Sequence, residues 1–292
     1  MDPRDAVTLA DDPEDILSAS LQSLYGFSPV ALSTPDSVFT YSIKPGRIPH
    51  SLALEQIEVA TPDTEPSNWS LHASSIWISS LFIADHLEEL QVDAMTGTDG
   101  TVVHVLELGA GAGLPSILLA RMYQHASVTA SDYPDDRLMR TLSDNIRRNG
   151  ISDRCRAVPC AWGTDIGALV HHDDHGRDVG FDVVFAADTL WNPEFHAPFL
   201  DTLCVCLGRG PGSRAHLVAG LHTGRYTIQS FLDRTKLRGL VLLSITEREV
   251  GGTQSRLWDA SRAEDEDERE RRRWVVWMIL KWADSRDGLK PL

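Results

Sequence analysis

The fold class this sequence predicts is α/β: an open sheet, parallel over most of its width and closed by an antiparallel hairpin. Three observations point there. From about residue 71 to residue 240, apolar runs of strand length alternate with helical patterns, which is how right-handed βαβ units and a sheet covered on both faces are written. A glycine-rich turn, Gly109-Ala110-Gly111-Ala112-Gly113, separates one apolar run from the helix that follows it. The last two apolar runs, Leu240 to Thr246 and Trp274 to Trp282, have no helical apolar pattern between them. Without a crossover helix they should pair antiparallel.

Element by element, residues 1 to about 14 are acidic, carry two prolines and read as loose. Asp15 to Tyr25 places Ile16, Leu17, Leu21 and Leu24 at helical spacing, with Asp15 as its cap. Val38 to Ile43 reads as a short strand with Ile57 to Ala60 as its partner, and Pro45, Gly46, Pro49, Pro62 and Pro66 mark loops around them. Residues 1–70 are expected to be an extension packed on a main domain, 71–292. Leu71 to Leu90 reads as one helix, with Ile76, Ser80, Ile83, Leu87 and Leu90 on one face. The strand Val102 to Leu108 follows, then Pro115 at the start of a helix that runs to Tyr123. Ser127 to Ser131 is a strand. Asp135 to Asn149 is a helix with Leu138, Leu142 and Ile146 in register, closed by Gly150. Arg156 to Cys160 and Phe181 to Ala187 are strands. Pro193 to Leu207 is a helix ahead of a Gly-Arg-Gly-Pro-Gly turn. Ala215 to Leu221 is a strand and Thr227 to Arg238 a helix. The run 262–273 holds six acids and five arginines and reads as a solvated loop or frayed helix.

The composition narrows the function. The chain has 292 residues, 27 Lys+Arg against 42 Asp+Glu and a formal net charge of −15. That acidity disfavours a protein that grips nucleic acid through its phosphates, or one anchored electrostatically on anionic lipid. Hydrophobic residues make up 42%, enough for a sizeable core. The N-terminus has no basic region followed by an apolar run, and no stretch approaches ~20 apolar residues, so a signal peptide and a membrane span are not expected. The four cysteines, Cys155, Cys160, Cys204 and Cys206, match neither a disulfide scaffold nor a zinc pattern. The cluster His171, His172, Asp173, Asp174 and His175 lies in a loop and is read as no metal site. These features suit a reducing, cytoplasmic setting.

The strongest motif is Glu107-Leu108-Gly109-Ala110-Gly111-Ala112-Gly113, where a strand ends and a helix begins. Ligands of open parallel sheets bind at that end of the strands. Gly109 and Gly111 let the backbone turn and approach a ligand. The dinucleotide fingerprint fails, because its third glycine would fall at Leu114. An acid ahead of the glycines, Glu107, suits a cationic amino-acid tail, and the missing pyrophosphate cradle suits S-adenosylmethionine. Asp132, at the end of the next strand, is placed to accept from both hydroxyls of a ribose, or else to cap the following helix, a task open to Asp135 as well. Tyr133 beside it can cover an adenine edge. Trp162 can wall the adenine or belong to the core. Asp188 and Trp191, three residues apart after the strand ending at Ala187, can both aim at one point, or serve as a helix cap and a packing residue.

Together these residues resemble the seven-strand, lysine methyltransferase-like group known as methyltransferase family 16, in particular its fungal branch named for nicotinamide N-methyltransferase and for elongation-factor methylation. The resemblance is strongest at Trp69 to Trp77, Leu106 to Gly113, Ser131 to Asp135, Trp162-Gly163 and Ala186 to Asn192. It implies a Rossmann-like, seven-stranded class I methyltransferase that uses S-adenosylmethionine. By match to the family, Trp77 on the helix before the glycine loop contacts the cofactor, as do Gly109, Ala110, Gly111, Asp132, Trp162 and Ala187; Glu107 and Gly113 belong to the same loop. The acid-x-x-aromatic motif of lysine-directed relatives ends in Tyr or Phe, whereas Asp188-x-x-Trp191 ends in Trp. The expected reaction is methyl transfer to a nitrogen of a protein, a lysine or an N-terminal amine, with a basic translation elongation factor as the candidate acceptor, by a monomer. Asp188 would hold the amine and Trp191 would stabilise its growing charge. The alternatives are a small-molecule, nicotinamide-like N- or O-methyltransferase, and a degenerate module that keeps the cofactor and works by association.

Overall fold

The computed structural model describes residues 31–43, 55–95, 101–164, 166–172 and 178–283. The helix expected over Asp15 to Tyr25 lies outside them. Its centre is an eight-stranded sheet built from β3 (Val103–Leu108), β4 (Ala126–Asp132), β5 (Cys155–Pro159), β6 (Val183–Ala187), β7 (Arg214–Gly220), β8 (Leu240–Glu249), β9 (Ser255–Leu257) and β10 (Trp274–Trp282). The order across the sheet is β9-β8-β10-β7-β6-β3-β4-β5. The strands β5, β4, β3, β6 and β7 run parallel, and β10 pairs antiparallel with both β7 and β8. This is the seven-stranded arrangement the sequence predicts, with the short edge strand β9 added.

Strand periodicity divides the core between the two faces of the sheet. Val103 and Val105 of β3 join one apolar cluster and Leu106 and Leu108 the other. The first cluster takes in α1 (Ile78–Asp85), α2 (Leu114–Met122) and α3 (Asp136–Arg148). The second takes in α4 (His196–Cys206) and α5 (Arg225–Leu237). At the N-terminal side, β1 (Val38–Ser42) and β2 (Gln56–Ala60) pair as expected, antiparallel. Asn145 of α3 fastens β2 by exchanging hydrogen bonds with the Ala60 backbone, both at 2.8 Å, and its Nδ2 also donates to the Ala112 carbonyl of the glycine loop at 2.9 Å.

Two expectations need correction. Leu71 to Leu90 is not one helix. A 3-10 turn, Pro66–Leu71, ends at His72 in the left-handed region, φ 52°, and α1 begins only at Ile78 with Trp77 as its N-cap. The apolar face survives, since Ile76, Ile83, Leu87 and Leu90 are all buried. The intervening His72, Ser74 and Ser75 are poor helix formers, because serine competes for backbone hydrogen bonds. The charge run is also more than a solvated face. Glu266 is buried and pairs with the fully buried Arg225, which Glu247 also contacts. No helix among the described residues is long and apolar enough to cross a membrane. All four cysteines are free.

Candidate active site

A cavity of about 380 Å³ opens at the C-terminal ends of β3, β4 and β6. It gathers nearly every residue singled out from the sequence: Trp77, Gly109, Ala110, Gly111, Gly113, Asp132, Trp162, Ala187, Asp188 and Trp191 all line it.

The glycine loop forms its floor. The N–H groups of Gly109 and Ala110 both donate to the Ser131 carbonyl, at 2.9 and 3.0 Å, which bolts the loop to the end of β4. Gly109 sits at φ 76°, where a Cβ would meet Thr189 at 2.9 Å and Trp162 at 3.4 Å. Gly113, at φ 84°, packs so closely on α3 that a Cβ would stand 2.5 Å from Leu142. Both positions therefore need glycine twice over, for backbone angle and for space.

Asp132 faces the cavity from the end of β4. One carboxylate oxygen accepts from the Gly111 N–H at 2.6 Å and the other from the Tyr133 N–H at 2.7 Å. Burial pushes its pKa up to about 6, against the pull of those two hydrogen bonds. Each oxygen keeps a lone pair for a further donor. The helix cap is Asp135 instead, whose Oδ1 accepts from the N–H groups of Arg137 and Leu138.

Glu107 departs from its expected place and does not line the cavity. It shares the strand face of Val103 and Val105 and so turns under α2, where its Oε2 accepts from the Ser116 N–H at 3.2 Å and the Ser116 hydroxyl at 2.5 Å. Burial lifts its pKa to about 8, with Asp132 adding to the effect. A carboxyl whose pKa is higher in the folded chain favours folding below the unfolded value of about 4.5, and that contribution is lost as pH rises through about 8. Glu107→Gln removes this titration. Its stability relative to the parent, read from urea midpoints, should therefore rise between pH 5 and pH 8.5. A constant offset across that range would contradict the assignment.

Asp188 adopts φ 51°, unusual outside glycine. Its Oδ1 accepts from the Gly220 N–H of β7 at 2.6 Å and its Oδ2 from the Ser79 N–H at the start of α1 at 3.4 Å. The carboxylate thus joins two strand ends to a helix N-terminus. Trp191 meets the His72 ring edge-on, centroids 4.9 Å apart. Trp77 donates its indole N–H to the His72 carbonyl at 2.8 Å and stacks on His222, centroids 5.8 Å apart. Trp162 packs edge-on against Phe199. Sequence reasoning missed Asn68, His72, Thr189 and Phe195, which also line the cavity. Only Pro66 and the polar run Ser67-Asn68 hinted that this stretch is a strap rather than a helix.

A parallel sheet closed by an antiparallel hairpin, with a glycine turn and an acid at the ends of its first two central strands, defines a Rossmann-like methyltransferase. Residues 64–235 match the family described as lysine methyltransferase, and the chain belongs to that family. It is similar to the protein N-terminal and lysine N-methyltransferase of Neurospora crassa, 27% identical over 73% of this chain and 74% of that one. The protein of the same name in Schizosaccharomyces pombe is 26% identical over 61% of this chain and 68% of its own length. A protein-lysine N-methyltransferase of Saccharomyces cerevisiae is 27% identical over 48% of this chain and 36% of its own. The chain is accordingly an S-adenosylmethionine-dependent methyltransferase.

The donor set of the cavity fits that cofactor. Among the described residues the lining includes two carboxylates, Asp132 and Asp188, and neither lysine nor arginine, which suits a sulfonium cation and not a pyrophosphate. Asp132 keeps acceptor capacity for a pair of hydroxyls, and Tyr133 and Trp162 offer aromatic surface for a base.

Proposed function

We propose that this chain methylates an amine of a protein, a lysine or an N-terminal amine, with a basic translation elongation factor as the acceptor class. The observation that carries the reading is the electrostatics of the cavity: among the described residues its lining holds two carboxylates, aromatic rings and neither lysine nor arginine. The names of the relatives, protein N-terminal and lysine N-methyltransferase, support it.

S-adenosylmethionine, when bound, supplies an electrophilic methyl group on a positively charged sulfur. Asp132 holds the ribose, the backbone of Gly109, Ala110 and Gly111 with the neighbouring Gly113 shapes the floor, and Trp77, Trp162 and Ala187 complete the walls. Catalysis is then mainly placement, because in-line displacement needs the acceptor lone pair within ~3 Å of the methyl carbon. An amine must first lose its proton, which passes to water; desolvation in the cavity favours the neutral form, and the nearby Asp188 carboxylate opposes it. Asp188, pinned between β7 and α1, orients the amine. The Trp191 face stabilises the charge that grows on nitrogen, worth ~0.5–2 kcal/mol. Trp191→Ala should lower turnover by about ten-fold and Asp188→Ala by more, with cofactor affinity held within a few-fold in Trp191→Ala. Full turnover in both variants would remove their catalytic role.

We propose further that residues 1–70 are an extension on a main domain, 71–292, a division that the Asn145 bridge to Ala60 supports. We propose action in the cytoplasm, which the four free cysteines suit, and by a monomer. The test of the function is transfer of a tritiated methyl group by the purified protein in a methylation-poor lysate. One labelled protein band is expected. Label confined to small molecules would favour the nicotinamide-like alternative, and no label at all would favour an association module.

A further inference from the structure

The strap Pro66–Leu71 and the His72 that ends it supply a wall of the cavity that no strand end provides. Ser67, Asn68, Ser70, Leu71, His72 and Ala73 all line it. Being a single short turn with exposed Pro66, Ser67, Trp69 and Ser70, it has little apolar burial of its own to hold it down. One carboxylate at the N-cap of α3 grips it. Asp135 divides its two oxygens between two tasks. Oδ1 caps α3, accepting from Arg137 and Leu138 at 3.0 Å each. Oδ2 reaches across the cavity rim to the strap, accepting from the Glu65 N–H at 2.9 Å and from the Asn68 side-chain amide at 2.7 Å. Arg137, in the first turn of α3, adds ion pairs to Asp63 at 2.8 Å and Glu65 at 2.9 Å, but these are half-exposed and weak.

We propose that Asp135 and Asn68 form a latch that closes the strap over the cofactor, making Asp135 a positioning residue that sets how long the cofactor and its product stay bound. The geometry fits this role better than a purely structural one. Capping α3 needs only one oxygen, and serine would do it as well. The second oxygen is spent on a segment that lines the cavity. The residue lies three positions after Asp132, so the same loop that faces the ribose site also grips its cover. The carboxylate is buried, which alone would raise its pKa. The hydrogen bonds from Asn68, Leu138, Glu65 and Arg137 outweigh that and hold it below the usual carboxylate range, so it is an ionised acceptor at neutral pH. Ionised acceptors make the stronger hydrogen bonds.

The latch is separable from the cap. Asn68→Ala removes the strap's side-chain donor and leaves α3 untouched. Asp135→Ser keeps a capping oxygen but is too short to reach the strap. The probe is S-adenosylhomocysteine, and the readouts are its dissociation rate by stopped-flow tryptophan fluorescence and amide hydrogen exchange of residues 65–72 in the ligand-free protein. No acceptor is needed, so the result does not depend on which amine is methylated. Both variants should release the probe about ten-fold faster and exchange faster in the strap, with melting temperatures close to the parent. The double variant should release it no faster than Asp135→Ser alone, because that variant already breaks the bond that Asn68→Ala removes. Unchanged dissociation in Asn68→Ala, or fully additive effects in the double variant, would overturn the latch. Equal loss of binding and of melting temperature in Asp135→Ser, with Asn68→Ala silent, would reduce Asp135 to a cap.

Discussion

Replacing Asp132 by alanine should weaken S-adenosylhomocysteine binding by about a hundred-fold or more, read by calorimetry. The proposed contact is a buried carboxylate accepting from two ribose hydroxyls, and hydrogen bonds to a charged group contribute about 1.5–3 kcal/mol each. Two such bonds at the low end of that range already amount to about two decades in affinity. The variant also strips the Gly111 N–H of its 2.6 Å acceptor, so the loop that forms the floor loses part of its preorganisation. A pH signature separates this from general damage. Burial lifts the Asp132 pKa to about 6, and hydroxyl donors favour its ionised form. Affinity in the parent should be level above about pH 7 and fall by up to ten-fold per unit below pH 6, as the carboxylate takes a proton. Asp132→Asn should bind weakly and without that slope. Parent-like affinity in the alanine variant would remove the ribose assignment.

The parts of this molecule that local sequence decides were readable in advance. The alternation from β3 to α3 is written in apolar periodicity, and its boundaries in Pro115, Gly150 and the glycine turn. The antiparallel end follows from a missing helix between Leu240 and Trp282. The cavity was legible for a related reason: strand ends in a parallel sheet converge, so residues just past them meet. The errors arise where neighbours distant in sequence decide. A helical face at Ile76, Ile83, Leu87 and Leu90 is satisfied whether or not the chain between is one helix, so the break at 72–77 left no trace in the pattern. Glu107 was misplaced by reading its motif and not its parity. As an alternate of Val103 and Val105 it must face α2, and Ser116 waits for it there. The partners of Asp188 come from Gly220 and Ser79, 32 and 109 residues away, and no local signal encodes them. The same holds for the charge run, whose buried acid finds its arginine 41 positions upstream.

That arginine carries the second large expected effect. Arg225→Met should destabilise the fold by about 3–5 kcal/mol, the usual cost of removing one partner from a buried ion pair. Arg225 has a fully buried side chain at the start of α5. It makes a two-pronged contact with Glu247 of β8, at 2.6 and 2.8 Å, and another with Glu266, at 2.7 and 2.9 Å. Arg256 bridges the same two acids, and Arg262 adds a third contact to Glu247. The network therefore ties α5, the long strand β8 and the segment returning to β10 into one unit. Without Arg225, Glu247 keeps its charge in a site with no access to water, and only partly exposed arginines remain to offset it. The melting temperature should drop by about 10 °C or more. Adding Glu247→Gln should recover part of the loss, because the stranded charge and not the missing side chain dominates it. Since none of these residues lines the cavity, S-adenosylhomocysteine affinity measured well below the transition should stay within a few-fold of the parent. Asp132→Ala and Arg225→Met thus make opposite demands: one should lose the ligand and keep the fold, the other keep the ligand and lose the fold's margin. A parent-like melting curve for Arg225→Met would mean that Arg256 and Arg262 suffice to neutralise Glu247, and the network would then be redundant.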